Sequence, residues 1–245
     1  MPAELSFPPI IITGHNEIWE ESLPMGVPVH FSAGTFFSDI GSSLPSPDAG
    51  IYFIKKGRVK LSGKDAKGEA TTLLHFGEGM IFNEVPMLQH SNGYKIVCME
   101  DTEAVFLPKR LVLGKIFKTN DKLRRNLLES MAYKSNCYLA RLKTYGGSNA
   151  LCLVSRALYS MYLYNRYEET VVPRLTQAEL SEYLGLHRRT LQRALARLKE
   201  EGICGQYSHK HLDIFDHNQL LSLAEGKNTI PNVSGSPAHY RDAHA

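Results

Sequence analysis

The sequence has few of the features that mark membrane, metal-binding or disulfide-stabilised proteins. It contains no run of about 18 apolar residues, the length that a membrane-spanning helix needs. Residues 1–10 have no basic stretch followed by a long apolar core, so we expect no secretion signal, no membrane association and a cytoplasmic location. The four cysteines lie far apart without a CxxC pair, which argues against a zinc site or a disulfide framework and predicts reduced, mostly buried thiols.

The chain also lacks a strong charge of either sign. Its 28 Lys and Arg residues against 25 Asp and Glu residues give a net charge of +3. Any affinity for nucleic acid must therefore come from a local basic patch. With 245 residues, of which 43% are hydrophobic, the chain is long enough for two modest domains, each with its own core.

A basic patch of this kind occurs in residues 175–201, LTQAELSEYLGLHRRTLQRALARLKEE, which read as two helices joined by a tight turn. Thr176 is the predicted N-cap of the first helix, and Glu179, three positions later, completes a capping box. Gly185 supplies the bend before the second helix. That helix is expected to bury an apolar stripe: Leu191, Ala194, Leu195 and Leu198.

The opposite face of the second helix carries hydrogen-bond donors: Arg188, Arg189, Gln192, Arg193 and Arg197. Arginine pairs with guanine through two hydrogen bonds and glutamine pairs with adenine, so this face suits the major groove of DNA. The other interpretation is an amphipathic helical hairpin whose arginines only keep its exposed face solvated. The capped first helix, the glycine turn and the grouping of donors at the start of the second helix favour DNA binding. Residues 203–215 predict a two-stranded wing whose basic tip, 208–211, touches a phosphate.

Short strand signals, separated by glycines and turn residues, recur from about Val27 to Leu107: residues 51–55, 58–61, 71–76, 80–82, 94–99 and 104–107. Signals at intervals of about 8–12 residues predict an all-β sandwich or barrel rather than alternating strands and helices. A Pro- and Ser-rich loop at 38–50 and a turn at 65–68 interrupt the series.

Helices are predicted after the strands. Pro108 opens a helical stretch to about Asn120, and Asp121 is the predicted cap of a longer helix that runs to Tyr145. In the longer helix one set of residues recurs at alternating spacings of 3 and 4: Leu128, Met131, Ser135, Tyr138, Leu142 and Tyr145. This heptad rhythm predicts a coiled-coil dimer seam. The other interpretation is a helix that lies only on its own barrel.

The order of these elements resembles the Crp/Fnr family of bacterial transcription regulators. The motifs that carry the resemblance are GIYFIKKGRVKL at 50–61, FGEGMIFNE at 76–84 and the helical pair, and the resemblance covers about residues 25–225. It implies an α+β fold with an N-terminal β jelly-roll barrel, a long dimerisation helix and a C-terminal winged helix-turn-helix. It also implies a homodimer with an effector pocket between each barrel and the dimer seam, and two recognition helices in successive major grooves of a palindromic site.

On this basis we divide the chain into an effector-sensing barrel (1–107), a linker helix with the long dimerisation helix (108–146), a winged domain (147–225) and a flexible tail (226–245). Gly146-Gly147 is the expected hinge. The expected partners are double-stranded DNA, a small-molecule effector, a second copy of the chain and RNA polymerase.

The resemblance also assigns DNA-contacting residues. The arginine with which the family reads bases falls on Arg193, and Arg189 stands where the family often has a glutamate. Because a cation cannot accept a hydrogen bond from cytosine N4, we expect a different half-site. Arg188 and Gln192 are the other expected readers. Phosphate or rim contacts are expected from Thr176, Gln177, His187 and Thr190.

The effector pocket departs from the cyclic-nucleotide-binding members of the family. Asn83 and Glu84 occupy the place of their Gly-Glu pair, but the arginine that neutralises the cyclic phosphate is missing. Gly93 and Tyr94 stand at its position, and Lys95 offers only a point charge without the fork of a guanidinium. A cAMP-responsive regulator is the less favoured alternative.

Redox and haem cofactors are the next alternatives. No cysteine precedes Cys98, which argues against the N-terminal iron–sulfur cluster of some family members. A haem-based sensor of NO or CO stays open, because the chain begins Met1-Pro2, as the carbon-monoxide sensors of this family do. The barrel contains residues of the types that ligate haem iron: His75, Met80 and His90.

A small organic or anionic effector is the favoured interpretation. Its expected site is formed by Asn83, Glu84, Tyr94, Lys95, Tyr133 and Tyr138. The tyrosines and the lysine are loosely similar to the pocket of the halorespiration regulators, which sense chlorinated phenols. The other interpretation is that these tyrosines only pack the seam.

An enzyme is not expected. A cupin oxygenase needs clustered His and Glu ligands on adjacent strands, whereas His75 and Glu84 stand alone without an HxH motif, and no metal site is predicted. A scaffold whose winged helix binds only protein is the remaining rival. Salt-dependent DNA binding would separate the two, since phosphate contacts produce a steep salt dependence.

Overall fold

The computed structural model describes residues 7–37, 50–64, 70–88, 94–145 and 149–227. Several predicted features lie outside these residues: Met1-Pro2, most of the loop at 38–50, the turn at 65–68, His90, the Gly146-Gly147 hinge and the tail beyond residue 227.

The described part of the N-terminal domain contains nine strands: β1 Ile11–Ile12, β2 Val27–Phe31, β3 Phe36–Phe37, β4 Gly50–Lys56, β5 Val59–Lys64, β6 Ala70–Phe76, β7 Ile81–Phe82, β8 Tyr94–Cys98 and β9 Thr102–Pro108. Five of them form one sheet in the order β1-β6-β5-β8-β3, and four form a second in the order β2-β9-β4-β7. The pairs are antiparallel, except that β1 runs parallel to β6. The strand signals thus correctly predict an N-terminal domain built on β-sheets.

The two sheets share an apolar core, in which Ile54 and Phe82 of one sheet pack with Phe76 and Ile96 of the other. Gly57 makes the turn between β4 and β5 with φ +100°, and a Cβ there would lie 2.7 Å from the Asp101 carbonyl oxygen. Only glycine fits this position, because both the backbone angle and the space exclude a side chain.

An N-terminal arm, residues 7–26, connects the domains in a way that the strand signals do not predict. It contains β1 and a 3-10 helix, Glu17–Met25, whose Trp19 is fully buried. Ile12 of the arm belongs to the barrel core, whereas Ile10 packs in the core of the C-terminal domain.

Asn16 holds the arm against its neighbours and is itself fully buried. Its Oδ1 accepts hydrogen bonds from the Ile81 amide at 3.0 Å and from Ser130 Oγ at 3.1 Å. Its Nδ2 donates to Asn126 Oδ1 at 2.8 Å. One amide side chain therefore ties the arm to the barrel and to the long helix.

A single-turn helix, α1 Glu84–Leu88, lies between β7 and β8. The helical stretch predicted from Pro108 to Asn120 follows β9 and is present in three short pieces. These pieces are α2 Lys109–Leu111, a π-helical turn Val112–Ile116 and α3 Phe117–Thr119. The long helix, α4, spans Asp121–Tyr145 as predicted, but Asp121 is not its cap. Asn120 Oδ1 accepts the hydrogen bond from the Leu123 amide at 3.2 Å, because a capping side chain belongs to the residue just before the helix. Asp121 instead pairs with Arg124 at 2.6 Å.

One face of α4 lies on its own barrel and arm. The buried residues follow one another at spacings of 3 and 4: Leu123, Leu127, Ser130, Lys134, Cys137 and Arg141. This is a different face from the predicted dimer seam.

The C-terminal domain contains α5 Ala150–Tyr164, β10 Thr170–Val171, α6 Gln177–Leu184, α7 Arg188–Glu200, β11 Leu212–Asp213 and α8 His217–Ala224. Leu158 of α5, Leu180 of α6, Leu191 of α7 and Leu220 of α8 meet in one core. This arrangement confirms the predicted fold class, α+β with a β-barrel, a long helix and a helix-turn-helix domain.

The wing differs from its prediction in its strand pairing. Residues 203–207 form no regular strand, and Cys204 makes a single bridge to Ile214. The regular partner of β11 is β10, which precedes the helical pair. Backbone hydrogen bonds still close a hairpin-like turn, from the Gly205 amide to the Asp213 carbonyl at 2.9 Å and from Ser208 to His211 at 3.0 Å.

The four cysteines are free and buried, as predicted: Cys98, Cys137, Cys152 and Cys204. In the part of the chain that the structure describes, no helix combines the length and the apolar character needed to span a membrane.

We predict that Asn16→Ala lowers the free energy of unfolding by about 1–3 kcal/mol, because the Ile81 amide, Ser130 and Asn126 would lose a buried partner. Urea unfolding monitored by the single tryptophan, Trp19, measures this loss. Asn218→Ala, at an exposed position on α8, is the control and should leave stability within about 0.5 kcal/mol of the parent. Equal stability of the two variants would contradict the role of Asn16.

Candidate DNA-binding surface and effector cavity

The first helix of the helix-turn-helix, α6, begins with the predicted capping box. The Glu179 amide donates to Thr176 Oγ1 at 3.2 Å, and the Thr176 amide donates to Glu179 Oε2 at 2.6 Å. Gly185 ends the helix in the left-handed conformation, with φ +63°. Leu180 and Leu184 face the core, so the turn and its packing follow the sequence prediction.

The second helix, α7, separates an apolar back from a cationic front. Leu191, Ala194, Leu195 and Leu198 are buried, as predicted. The side chains expected to read DNA point to solvent: His187, Arg188, Arg189, Gln192 and Arg193 are exposed, and Thr190 is partly exposed. No described residue forms an ion pair with Arg188, Arg189 or Arg193, which leaves these cations available, whereas Arg197 pairs with Glu201 at 2.7 Å.

The rim of this surface comes from two further segments. Thr176 is exposed and Gln177 partly exposed at the N-terminus of α6. At the wing, residues 208–211 are exposed, and His211 contacts Asp213 at 2.9 Å.

A cavity of about 220 Å³ lies between the barrel and α4, where the effector pocket was expected. Most of its wall is apolar, and the wall is formed by strands β5, β6 and β8, by residues 83–85 and by α4. Three of the predicted effector residues line it, namely Asn83, Glu84 and Tyr138. Asn83 adopts φ +73° and donates to the Gly50 carbonyl at 2.8 Å, so the left-handed turn before α1 places Glu84 in the wall.

The other predicted effector residues are placed differently. Tyr133 is not in the cavity wall, because it lies on another side of α4, where its ring is 4.0 Å from that of His15. Burial, with the neighbouring Cys137 and Tyr164, raises the pKa of the Tyr133 phenol well above its usual value. Lys95 is exposed on β8, where strand alternation directs it away from the core side on which Ile96 lies. Tyr94 begins the same strand, and its side chain lies outside the described part of the chain.

Lys134 is a cavity residue that the sequence analysis missed. Its Nζ donates to Glu84 Oε1 at 2.7 Å and to the Ile81 carbonyl at 2.6 Å, and it lies 4.8 Å from the centre of the Phe76 ring. Both members of the pair are buried, with side chains 7% and 8% exposed. No local signal marks this residue, because Ser130 and Arg141 also interrupt the buried face of α4 and the partner of Lys134 lies 50 residues away in sequence.

The possible haem ligands are not grouped around this cavity. His75 is buried beside Arg58 and the Tyr183 ring, away from the cavity wall. Burial and then the Arg58, Lys60 and Arg141 charges hold the pKa of His75 well below its usual value. Among the described residues, neither a histidine nor a cysteine lines the cavity.

The predicted dimer seam is only partly turned away from the barrel, because Met131, Ser135 and Tyr138 also line the cavity between the barrel and α4. Leu128 is 62% exposed and Leu142 48% exposed, Ser135 is exposed, and Met131 and Tyr138 are partly buried. The side chain of Tyr145 lies outside the described part of the chain. Leu128 and Leu142 therefore stay largely exposed in the part of the single chain that the structure describes.

Two family patterns match the chain. The family described as "Crp-like helix-turn-helix domain" matches residues 154–223, and the family described as "Cyclic nucleotide-binding domain" matches residues 29–119. The comparison with curated proteins finds no matching relative.

Solved structures share the fold over most of the chain. A CprK variant complexed with OCPA has a TM-score of 0.70 at 20% identity, covering 89% of this chain and 99% of that chain. A CooA mutant from Carboxydothermus hydrogenoformans has a TM-score of 0.71 at 16% identity, covering 87% of this chain and 100% of that chain. FixK2 from Bradyrhizobium japonicum has a TM-score of 0.68 at 17% identity, covering 81% of this chain and 96% of that chain.

The two matching domains occur in the order expected from the sequence, and the described structure places a long helix between them. The family consists of transcription regulators rather than enzymes. The chain belongs to the Crp/Fnr family of DNA-binding transcription regulators.

Proposed function

We propose that this regulator is a homodimer whose affinity for a palindromic operator is controlled by a small organic effector bound between the barrel and α4. The observation that carries the proposal is the cavity of about 220 Å³ beside α4, with a buried Lys134–Glu84 pair in its mostly apolar wall. A cavity with an apolar wall and few polar groups is typical of small-molecule sites. Binding there would shift the population of domain arrangements until two recognition helices are about 34 Å apart.

The charge of the cavity favours a neutral or weakly acidic effector over a cyclic nucleotide. Lys134 is the cation of the wall, and Glu84 already neutralises it. The described lining contains no arginine that could take a phosphate in a fork. Lys134 and Tyr138 instead provide donors for a phenol or a carboxylate, and the complex of CprK with OCPA supports a small organic ligand in a similar fold.

The DNA-reading role rests on the exposed cations of α7. Arg188, Arg189 and Arg193 are exposed and not engaged in ion pairs with described residues, so their donors are available for base edges and phosphates. The apolar back of α7 fixes their direction, because the helix has one possible face toward solvent.

We expect Arg193→Ala to cost about 1–3 kcal/mol of specific binding and to relax the preference at one base position, because a bidentate contact with guanine would be lost. Selection of duplexes from a random pool, followed by gel shifts at several salt concentrations, measures both effects. Lys199→Ala, at an exposed position on the same helix, is the control and should keep the parent consensus. A selected consensus unchanged by Arg193→Ala would contradict base reading by this residue.

We expect the double substitution Leu128→Asp, Leu142→Asp to weaken dimerisation on the order of 100-fold or more, because two carboxylates would be buried in an apolar seam. Sedimentation equilibrium over a concentration series measures this. Phe215→Asp, which alters an equally exposed apolar residue of the winged domain, should leave the dimer intact. A parent chain that is monomeric at all concentrations would contradict the homodimer.

Lys134→Ala should lower the free energy of unfolding by about 3–5 kcal/mol, because Glu84 would stay buried without its partner. The apolar double variant Lys134→Met, Glu84→Leu should recover most of this loss, because no charge would remain in the cavity. Urea unfolding compares the two, with the exposed Lys122→Ala as the control.

The same double variant tests the effector site. In a thermal-shift screen of small phenols and aromatic carboxylates, compounds that stabilise the parent chain should fail to stabilise the double variant. Equal stabilisation of both chains would place the effector elsewhere.

A further inference from the structure

The first helix of the helix-turn-helix, α6, is attached to its own barrel by ion pairs. Arg58 of the barrel contacts Glu179 at 2.8 Å, with side chains 4% and 16% exposed. Lys60 of β5 contacts Glu182 at 2.8 Å, and Thr72 of β6 donates to the same carboxylate at 2.9 Å. The two acidic residues of α6 are thus directed toward the barrel and bound by it.

A third cation, Arg141, joins this contact to the effector cavity. The guanidinium comes from α4, where Arg141 lies two helical turns beyond Lys134 on the same buried face. It donates to the Leu73 carbonyl of β6 at 2.6 Å and, through its other nitrogen, to the Tyr183 carbonyl of α6. It also lies 4.0 Å from the centre of the Tyr183 ring. Because Leu73 lines the cavity, one side chain touches both the cavity wall and the DNA-binding domain.

The segment that leads into α6 is held in the same way. Arg174 contacts Glu100, between β8 and β9, at 2.8 Å, and it stands two residues before Thr176. The N-terminus of a first helix in this motif lies near the DNA backbone. A phosphate that approaches Thr176 and Gln177 would have to compete with the Glu100 carboxylate for Arg174. Docking on the barrel therefore withholds the Arg174 cation from a duplex.

The contact is polar, which suits it to reversible release. Apart from the arm, whose Ile10 packs in the C-terminal core, the barrel and the C-terminal domain keep separate apolar cores, and the ion pairs lie between them. Arg58 Nε and His75 Nε2 are buried here without a hydrogen-bond partner among the described residues. A partly satisfied polar network is held less firmly than an apolar interface.

We propose that Arg141, with the Arg58–Glu179 and Lys60–Glu182 pairs, forms a latch that holds the winged domain on its own barrel and links the effector cavity to DNA binding. The latch rests on the proposed function, since it needs both an effector cavity and a DNA-reading helix. A ligand that displaces Leu73 or α4 pulls the Arg141 guanidinium from the Tyr183 carbonyl. The ion pairs then open, and α6 becomes free to meet a duplex.

The sharpest test is Lys60→Glu in the full-length chain without any added ligand. Loss of a cation should weaken DNA binding if only overall charge matters. The latch predicts the reverse: affinity for a duplex selected with the parent chain rises by a factor within the roughly 5–150-fold range usual for allosteric coupling. Amide exchange in Gln177–Leu184 should accelerate in the same variant.

Charge reversal on the partner supplies the rescue. The double variant Lys60→Glu, Glu182→Lys restores the pair with opposite signs and should bring amide exchange and affinity back near the parent values. Lys56→Glu is the matched control, because Lys56 is a neighbouring lysine whose contact with Glu103 is long, at 4.0 Å, and exposed. It should leave amide exchange in α6 unchanged.

Arg141→Gln tests the link to the cavity. It should accelerate amide exchange both in Gln177–Leu184 and in Ala70–Phe76 and raise ligand-free affinity for the duplex, whereas a merely destabilised chain would bind less. Arg125→Gln, at an exposed arginine on the same helix, is the control. If Lys60→Glu and Arg141→Gln leave α6 exchange or duplex affinity at the parent value, the latch is overturned. If the parent and all variants bind no duplex, the proposed function itself is contradicted.

Discussion

One face of the long helix α4 contacts the barrel, the cavity and the C-terminal domain, and this contact fixes the placement of both domains while Leu128 and Leu142 stay exposed on another face. Leu123 and Leu127 anchor the helix in an apolar cluster of the barrel domain. Two turns further on Lys134 meets the cavity, and about two turns beyond it Arg141 meets α6. Because a helix turns by about 100° per residue, a shift of one residue would remove all of these contacts together.

The distribution of cations explains how a chain with a net charge of only +3 suits DNA. Arg58, Lys60 and Lys134 are bound to carboxylates and are mostly buried. Arg188, Arg189 and Arg193 of α7 are exposed and have no acidic partner among the described residues, whereas Arg197 pairs with Glu201. The local field at the DNA-binding surface is therefore more positive than the net charge suggests. The same pairing turns the acidic residues of α6 toward the barrel.

The elements with local signals were predictable from the sequence. The capping box at Thr176, the glycine at 185 and the apolar stripe of α7 each depend on residues within one or two turns, and each is present as predicted. The β-rich character of the barrel also followed from local patterns. The cap of α4 was predicted one residue late, because Asn120 and Asp121 are both good caps and only the start of the helix decides between them.

The features that depend on distant contacts were not predictable. Lys134 resembles any helical lysine until the position of Glu84, 50 residues away in sequence, is known. Tyr133 and Tyr138 are five residues apart, and only the placement of the barrel decides which of them lines the cavity. The arm, the β10–β11 pairing and the attachment of α6 to the barrel likewise join segments far apart in the chain.

In the proposed latch, the winged domain lies on its own barrel in the free protein and leaves it on DNA. Pulsed electron–electron double resonance between spin labels at Lys56→Cys and Glu200→Cys measures the distance between the barrel and the winged domain. Both positions are exposed, whereas the four native cysteines are buried. Burial raises the pKa of Cys137 and of Cys204 to about 11, which keeps these thiols unreactive toward the label. With labelled chains diluted in unlabelled protein, addition of the selected duplex should replace the free-state distance distribution by a new one. The same distribution with and without bound duplex would show that the winged domain stays on its barrel when DNA binds, so that no latch opens.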